Sequence, residues 1–97
     1  MIEQLHRKLE ALQRSHAAAP VLADKHRELA DAYQAAAARA ADPGEAWTCY
    51  ASAVVHLVEA GDRAEARHVA AAARERFPEL VAEAAALTRW LDARASA

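Results

Sequence analysis

Five residues hold nearly all the conformational punctuation of this chain. Its only glycines are Gly44 and Gly61, and its only prolines are Pro20, Pro43 and Pro78. Pro20, the Asp42-Pro43-Gly44 group, Gly61-Asp62 and Pro78 therefore cut the 97 residues into five segments. In each segment apolar residues recur at intervals of three and four, the period of an α-helix with one buried face.

Composition supports helix as the conformation of the segments. Thirty residues are alanine, the strongest helix former, and Leu, Arg, Glu and Gln supply much of the rest. Valine and isoleucine are sparse and dispersed, so strands have little support. The expected fold is all-α, with about five helices packed as stacked antiparallel hairpins, a short α-solenoid or helical bundle. The expected organisation is a single domain over 1–97. It has an N-terminal helix pair (1–41), a central hairpin (43–78) and a C-terminal capping helix (79–94).

The segments read as follows. Helix 1 runs from about Ile2 to Ala18, with Ile2, Leu5, Leu9 and Leu12 as its stripe. Helix 2 runs from about Pro20 to Ala41, with Leu22, His26, Leu29, Tyr33 and Ala36 on one face. Helix 3 runs from Gly44 or Glu45 to Ala60, with Asp42 as N-cap and Trp47, Tyr50, Ala51, Val54, Leu57 and Val58 as the broadest apolar face. Gly61 is its C-terminal stop. Helix 4 follows Asp62, a second N-cap, and buries Ala66, Val69, Ala70, Ala73 and Phe77. Helix 5 starts near Pro78 or Glu79, with Leu80, Val81, Ala84, Leu87, Trp90 and Leu91 as its stripe. Ala95-Ser96-Ala97 are expected to fray. Short connections favour antiparallel neighbours.

Charge and cysteine usage exclude several function classes. The net charge is −2 with both signs interspersed, which argues against a nucleic-acid partner. No segment has the roughly 20 consecutive apolar residues of a membrane helix, and the N-terminal apolar residues are interrupted by charges, unlike a secretory signal. Cys49 is the single cysteine, so no internal disulfide forms, which fits a reducing compartment. A cytoplasmic protein without a membrane partner is expected.

Residues 61 to 78 carry the one family resemblance. Gly61-Asp62, then Ala66, Ala73 and Pro78, stand at the mutual spacing of the second half of a tetratricopeptide repeat, and the segment resembles that family over roughly residues 45 to 78. Two registers are open for the first half. One places the family's aromatic positions on Tyr50 and Leu57, with Val54 at the small-residue position. The other places Trp47 at the opening, Tyr50 and Ala51 at the Leu-Gly pair, and Val54 at the later aromatic. The resemblance implies a concave groove that binds a protein or peptide, with Thr48, Ser52 and Val55 facing it under either register. It also implies that the carboxylate clamp of some members is missing, because Thr, Ser, Ala or Val occupy its positions. A short array of this kind needs neighbours, so a partner or a homodimer is expected.

Other constellations are weaker. Glu3 and His6, and Glu65 and His68, repeat the Glu-x-x-His spacing of helical di-metal sites, to which Glu28 and Glu59 could add. Such pairs arise readily in a chain with five histidines and fourteen acids, and no metal or cofactor is expected. His26 and His56 read as partly buried or boundary histidines, and Cys49 as an inert thiol. Arg63, Arg67, Arg74 and Arg76 give helix 4 a basic outer face. Trp47 reads as core. Trp90, near the C-terminus, is the remaining partner-binding candidate, since tryptophan is enriched in interface hot spots. No catalytic set stands out. The expected function is a non-enzymatic adaptor or chaperone, with a self-associating structural bundle as the alternative and a small metal protein or enzyme as the lesser one.

Overall fold

The breakers act through specific hydrogen bonds. In a computed structural model of the chain, which describes residues 1–96 and the side chains through Arg94, Asp42 accepts a bond from the Glu45 N–H at 2.9 Å and so opens α3 (Pro43–Glu59). Asp62 opens α4 (Arg63–Arg76) in the same way, accepting from the Glu65 N–H at 3.4 Å. Each cap satisfies a helical N–H that has no partner inside the helix. Between them Gly61 stands at φ +82. The Gly61 N–H donates to the Val58 carbonyl and the Asp62 N–H to the Leu57 carbonyl, the paired pattern of a Schellman motif.

Helix α1 (Ile2–Arg14) ends four residues before the expected Ala18. The His16 N–H donates to the Gln13 carbonyl and the Ala17 N–H to the Leu12 carbonyl. This is the same terminating motif, but the left-handed position holds His16 at φ 55 instead of a glycine. Helix α2 (Ala19–Arg39) follows with Pro20 in its first turn, where the missing N–H goes unneeded. Helix α5 (Val81–Ser96) starts later than Pro78. A turn closed by the Leu80 N–H on the Phe77 carbonyl takes up the intervening residues. The expected fraying of the last residues falls partly outside the described structure, because Ala97 and the side chains of Ala95 and Ser96 are not described.

The five helices pack in sequence as adjacent antiparallel pairs. Helix α3 is the hub: it lies against α2, α4 and α5, while α1 rests on α2. Alanine permits the close approaches. Ala30, Ala53, Ala66 and Ala73 have no exposed surface, so helix backbones meet where no larger side chain would fit. Val54, Leu57, Val69 and Leu91 fill the space around the first three of them. Trp47, Phe77 and Ala84 close a second cluster around Ala46 and Ala73. Burying each of the larger side chains contributes roughly 1.5–3 kcal/mol. Val81, expected on the inner stripe of α5, is 70% exposed instead.

Arg76 is exposed with the other arginines of α4, but its side chain is engaged. Its guanidinium donates to the Tyr50 hydroxyl at 3.0 Å and to the Ala37 carbonyl at 3.3 Å, and lies over the Phe77 ring. Ala37 belongs to the last turn of α2, where its carbonyl also accepts from the Ala40 N–H at 3.3 Å, and the added bond from Arg76 ties α4 to the end of α2.

The result is a slab of 42 × 33 × 16 Å with 5960 Å² of accessible surface. A monomer of this mass packed like an average globular protein would expose about 5,400 Å². No helix among the described residues is long and apolar enough to cross a membrane.

Candidate functional site

A concave feature lies between α4 and α5. The two helices run antiparallel, and Arg67 near the start of α4 donates to Asp92 near the end of α5 at 3.1 Å. Their facing stripes are Arg67, Ala70/Ala71, Arg74 and Phe77/Pro78 on one side, and Val81, Ala84/Ala85, Thr88 and Leu91 on the other. Both follow the three-and-four spacing of one helix face. Because alanines face each other across much of this line, the gap between the helices is not filled. A cleft of about 550 Å³ opens at the Phe77–Val81 end, and a second of about 470 Å³ continues it toward Leu91, with Arg74 and Thr88 common to both. Leu87 and Trp90, on the other side of α5, pack toward the core beside Leu57 and Leu91.

The cleft floor is apolar and its rim is basic. Phe77 is buried at its base, Leu80 is half-buried, and Val81 is exposed at its mouth. Arg74 and Arg89 stand exposed on opposite walls. Sequence reasoning assigned Val81 to the core and read Arg74 as a charge complementing the helix dipole.

The residues expected to face a partner lie elsewhere. Thr48 is exposed on α3 and its hydroxyl donates to the Gly44 carbonyl at 3.0 Å. Ser52 is half-buried, and Val55 is 37% exposed. Trp90 is half-buried against the core, with the Arg94 guanidinium 5.2 Å from its ring centre. None of the four lines the α4–α5 cleft.

A second assembly forms where α1, α2 and α3 meet. His26 Nδ1 lies 2.8 Å from His56 Nδ1, and His6 Nε2 lies 2.8 Å from the Tyr33 hydroxyl. The rings of His6 and Tyr33 both sit against His56, at centroid distances of 5.4 and 5.7 Å. Burial pushes His56 down to about 4, helped by the neighbouring His26 and His6. Burial also lowers His26, against the pull of Glu59, and raises Tyr33 with help from Cys49. At neutral pH the His26–His56 pair is thus uncharged, one ring donating a proton that the other accepts. The spacing of His26 and Tyr33 places both on one face of α2. That His6 and His56 join them from two other helices was not readable from spacing.

The Glu-x-x-His pairs stay apart. Helices α1 and α4 are not packed as neighbours, and Glu3, His6, Glu65 and His68 form no joint metal-holding group. Glu3 lies near Arg7 at 3.9 Å, and Glu28 pairs with Lys25 at 3.0 Å. Among the described residues no three His, Cys, Asp or Glu are arranged to hold a metal ion. Cys49 is half-buried and free.

No protein-family model, curated protein or solved structure significantly matches this chain.

Proposed function

We propose that this chain is a small non-catalytic interaction module, an adaptor or chaperone that binds a protein or peptide in a helical groove. The observation that carries the reading is the unfilled α4–α5 cleft, with Phe77 at its base and Val81 70% exposed at its mouth. A hydrophobic side chain left so exposed beside an open apolar floor is a surface suited to being covered. The thin slab and its excess of accessible surface point the same way.

Membership of the tetratricopeptide class is part of this proposal. Its supports are the Gly61-Asp62 turn between α3 and α4, the buried small residues Ala66 and Ala73 on the inner face of α4, and the exit at Phe77-Pro78. A cytoplasmic setting goes with it, supported by the lone Cys49.

The test compares the wild-type chain with Ala85→Trp, which fills the cleft from an exposed helical position. Each is tagged, used to capture partners from its native cells, and the eluate sized by light scattering. A stoichiometric second protein held by the wild type and lost with Ala85→Trp is the expected result. Equal capture by both variants overturns the groove. Recovery of this chain alone as a defined dimer favours the self-associating bundle.

A further inference from the structure

We infer that the occupant of the α4–α5 valley is an acidic amphipathic helix of a different protein, an inference that rests on the groove-binding reading above.

Shape comes first. From Val81 to Leu91 the valley runs along eleven residues of α5, about 15 Å from first to last at the helical rise, which is close to three turns of a docked helix. Both walls are helices, and no strand edge among the described residues offers backbone pairing to an extended peptide. The alanines along the valley allow a guest backbone to approach closely. Phe77, Leu80 and Val81 then provide the apolar surface for anchors at positions i, i+3 or i+4, and i+7.

Charge selects the guest. Most arginines beside the core are already engaged: Arg67 with Asp92, Arg76 with Tyr50 and Ala37, Arg94 over Trp90. Arg74 and Arg89, on opposite walls of the valley, have no hydrogen-bond or ion-pair partner among the described residues. Glu75 is the one acid among these lining residues, and it sits at the half toward Leu91. The chain as a whole is net −2, so a basic rim here is a local feature and not a by-product of a basic protein. Two free guanidinium groups flanking an apolar floor match a helix whose apolar stripe is edged by Asp or Glu, because planar guanidinium takes carboxylate in a two-bond fork. A second copy of this chain docked symmetrically across the valley would instead set the Arg74 and Arg89 of one copy against those of the other.

The test is a selection of displayed random 16-residue peptides on the full chain, followed by affinity measurement of the enriched peptides as synthetic probes. The variants Arg74→Glu, Arg89→Glu and Ala85→Trp are compared with the wild type, and their melting temperatures are checked first. The expected winners carry apolar residues at helical spacing flanked by acids. They bind about tenfold more weakly to either charge reversal, and more weakly as salt is raised. Enriched peptides without acids, lost with Ala85→Trp but indifferent to Arg74→Glu and Arg89→Glu, overturn the acidic guest while leaving the groove. A selection with no peptide sensitive to Ala85→Trp overturns both. Self-association that disappears with Ala85→Trp overturns the foreign helix in favour of a second copy.

Discussion

His26 Nδ1 and His56 Nδ1 lie 2.8 Å apart, a hydrogen bond in which one neutral ring donates and the other accepts. The bond joins α2 to α3, the most extensive helix contact in the molecule. A first proton added at the outer nitrogen of the donor ring leaves this bond in place. A second, on the accepting Nδ1, abolishes it and sets two cations face to face.

Stability is therefore expected to depend on pH through this pair. The folded state holds His56 at about 4, against 6.5 for the ordinary group, so it favours the neutral ring. Between those values the unfolded chain binds more protons than the folded one, and stability rises with pH. The contribution is complete above about pH 6.5 and is lost as the pH falls toward 4. Its size is on the order of 3 kcal/mol. Thermal melts from pH 7.5 to 4.5 should show a larger fall for the wild type than for the His26→Phe, His56→Phe double variant. Parallel curves for the two proteins would remove the pair from the explanation.

Ala73→Leu should destabilise the protein by about 1–3 kcal/mol, the usual penalty of overpacking. Ala73 has no exposed surface and lies with Trp47 and Phe77 in the second core cluster. At about 4–8 °C per kcal/mol for a domain of this size, the loss in melting temperature is easily measured. An unchanged melting temperature would mean that α4 does not meet α3 at this position.

The two left-handed helix ends predict opposite effects. His16→Gly should stabilise by about 0.5–1 kcal/mol, because glycine adopts the conformation without steric strain. Gly61→Ala should destabilise by about 1 kcal/mol through backbone strain alone, since an added Cβ would meet nothing within 4 Å. Chemical denaturation of both variants checks the pair, and a gain from Gly61→Ala would contradict the motif.

Arg76→Met keeps much of the side-chain length and removes the donors. It should cost about 1–2 kcal/mol, as the Tyr50 hydroxyl and the Ala37 carbonyl lose their charged partner. Tyr50→Phe, Arg76→Met double-variant analysis should give a coupling clearly above zero. Simple additivity would show that the contact carries no energy.

Much of the fold was legible because its signals are local. Asp42, Asp62 and Gly61 declare their caps and stop through their own chemistry, and Ala66, Val69, Ala73 and Phe77 mark the buried face of α4 by spacing alone. Helix α1 was read too long because a histidine terminates it, and histidine does not advertise a left-handed turn. Val81 was read as core because a periodic stripe states which residues share a face and not how far a neighbour extends to cover it.

The sequence by itself determined five amphipathic helices, where most of them end, and the alanine contacts that let them touch. These follow from backbone propensity and from a period of 3.6, both of which act over a few residues. Tertiary structure alone decided that His6, His26, Tyr33 and His56 meet, that Arg76 crosses to the end of α2, and that α4 and α5 leave a cleft between Arg74 and Arg89. Those outcomes depend on how whole helices are rotated and splayed against one another. Packing of the entire set fixes that, and no single segment encodes it.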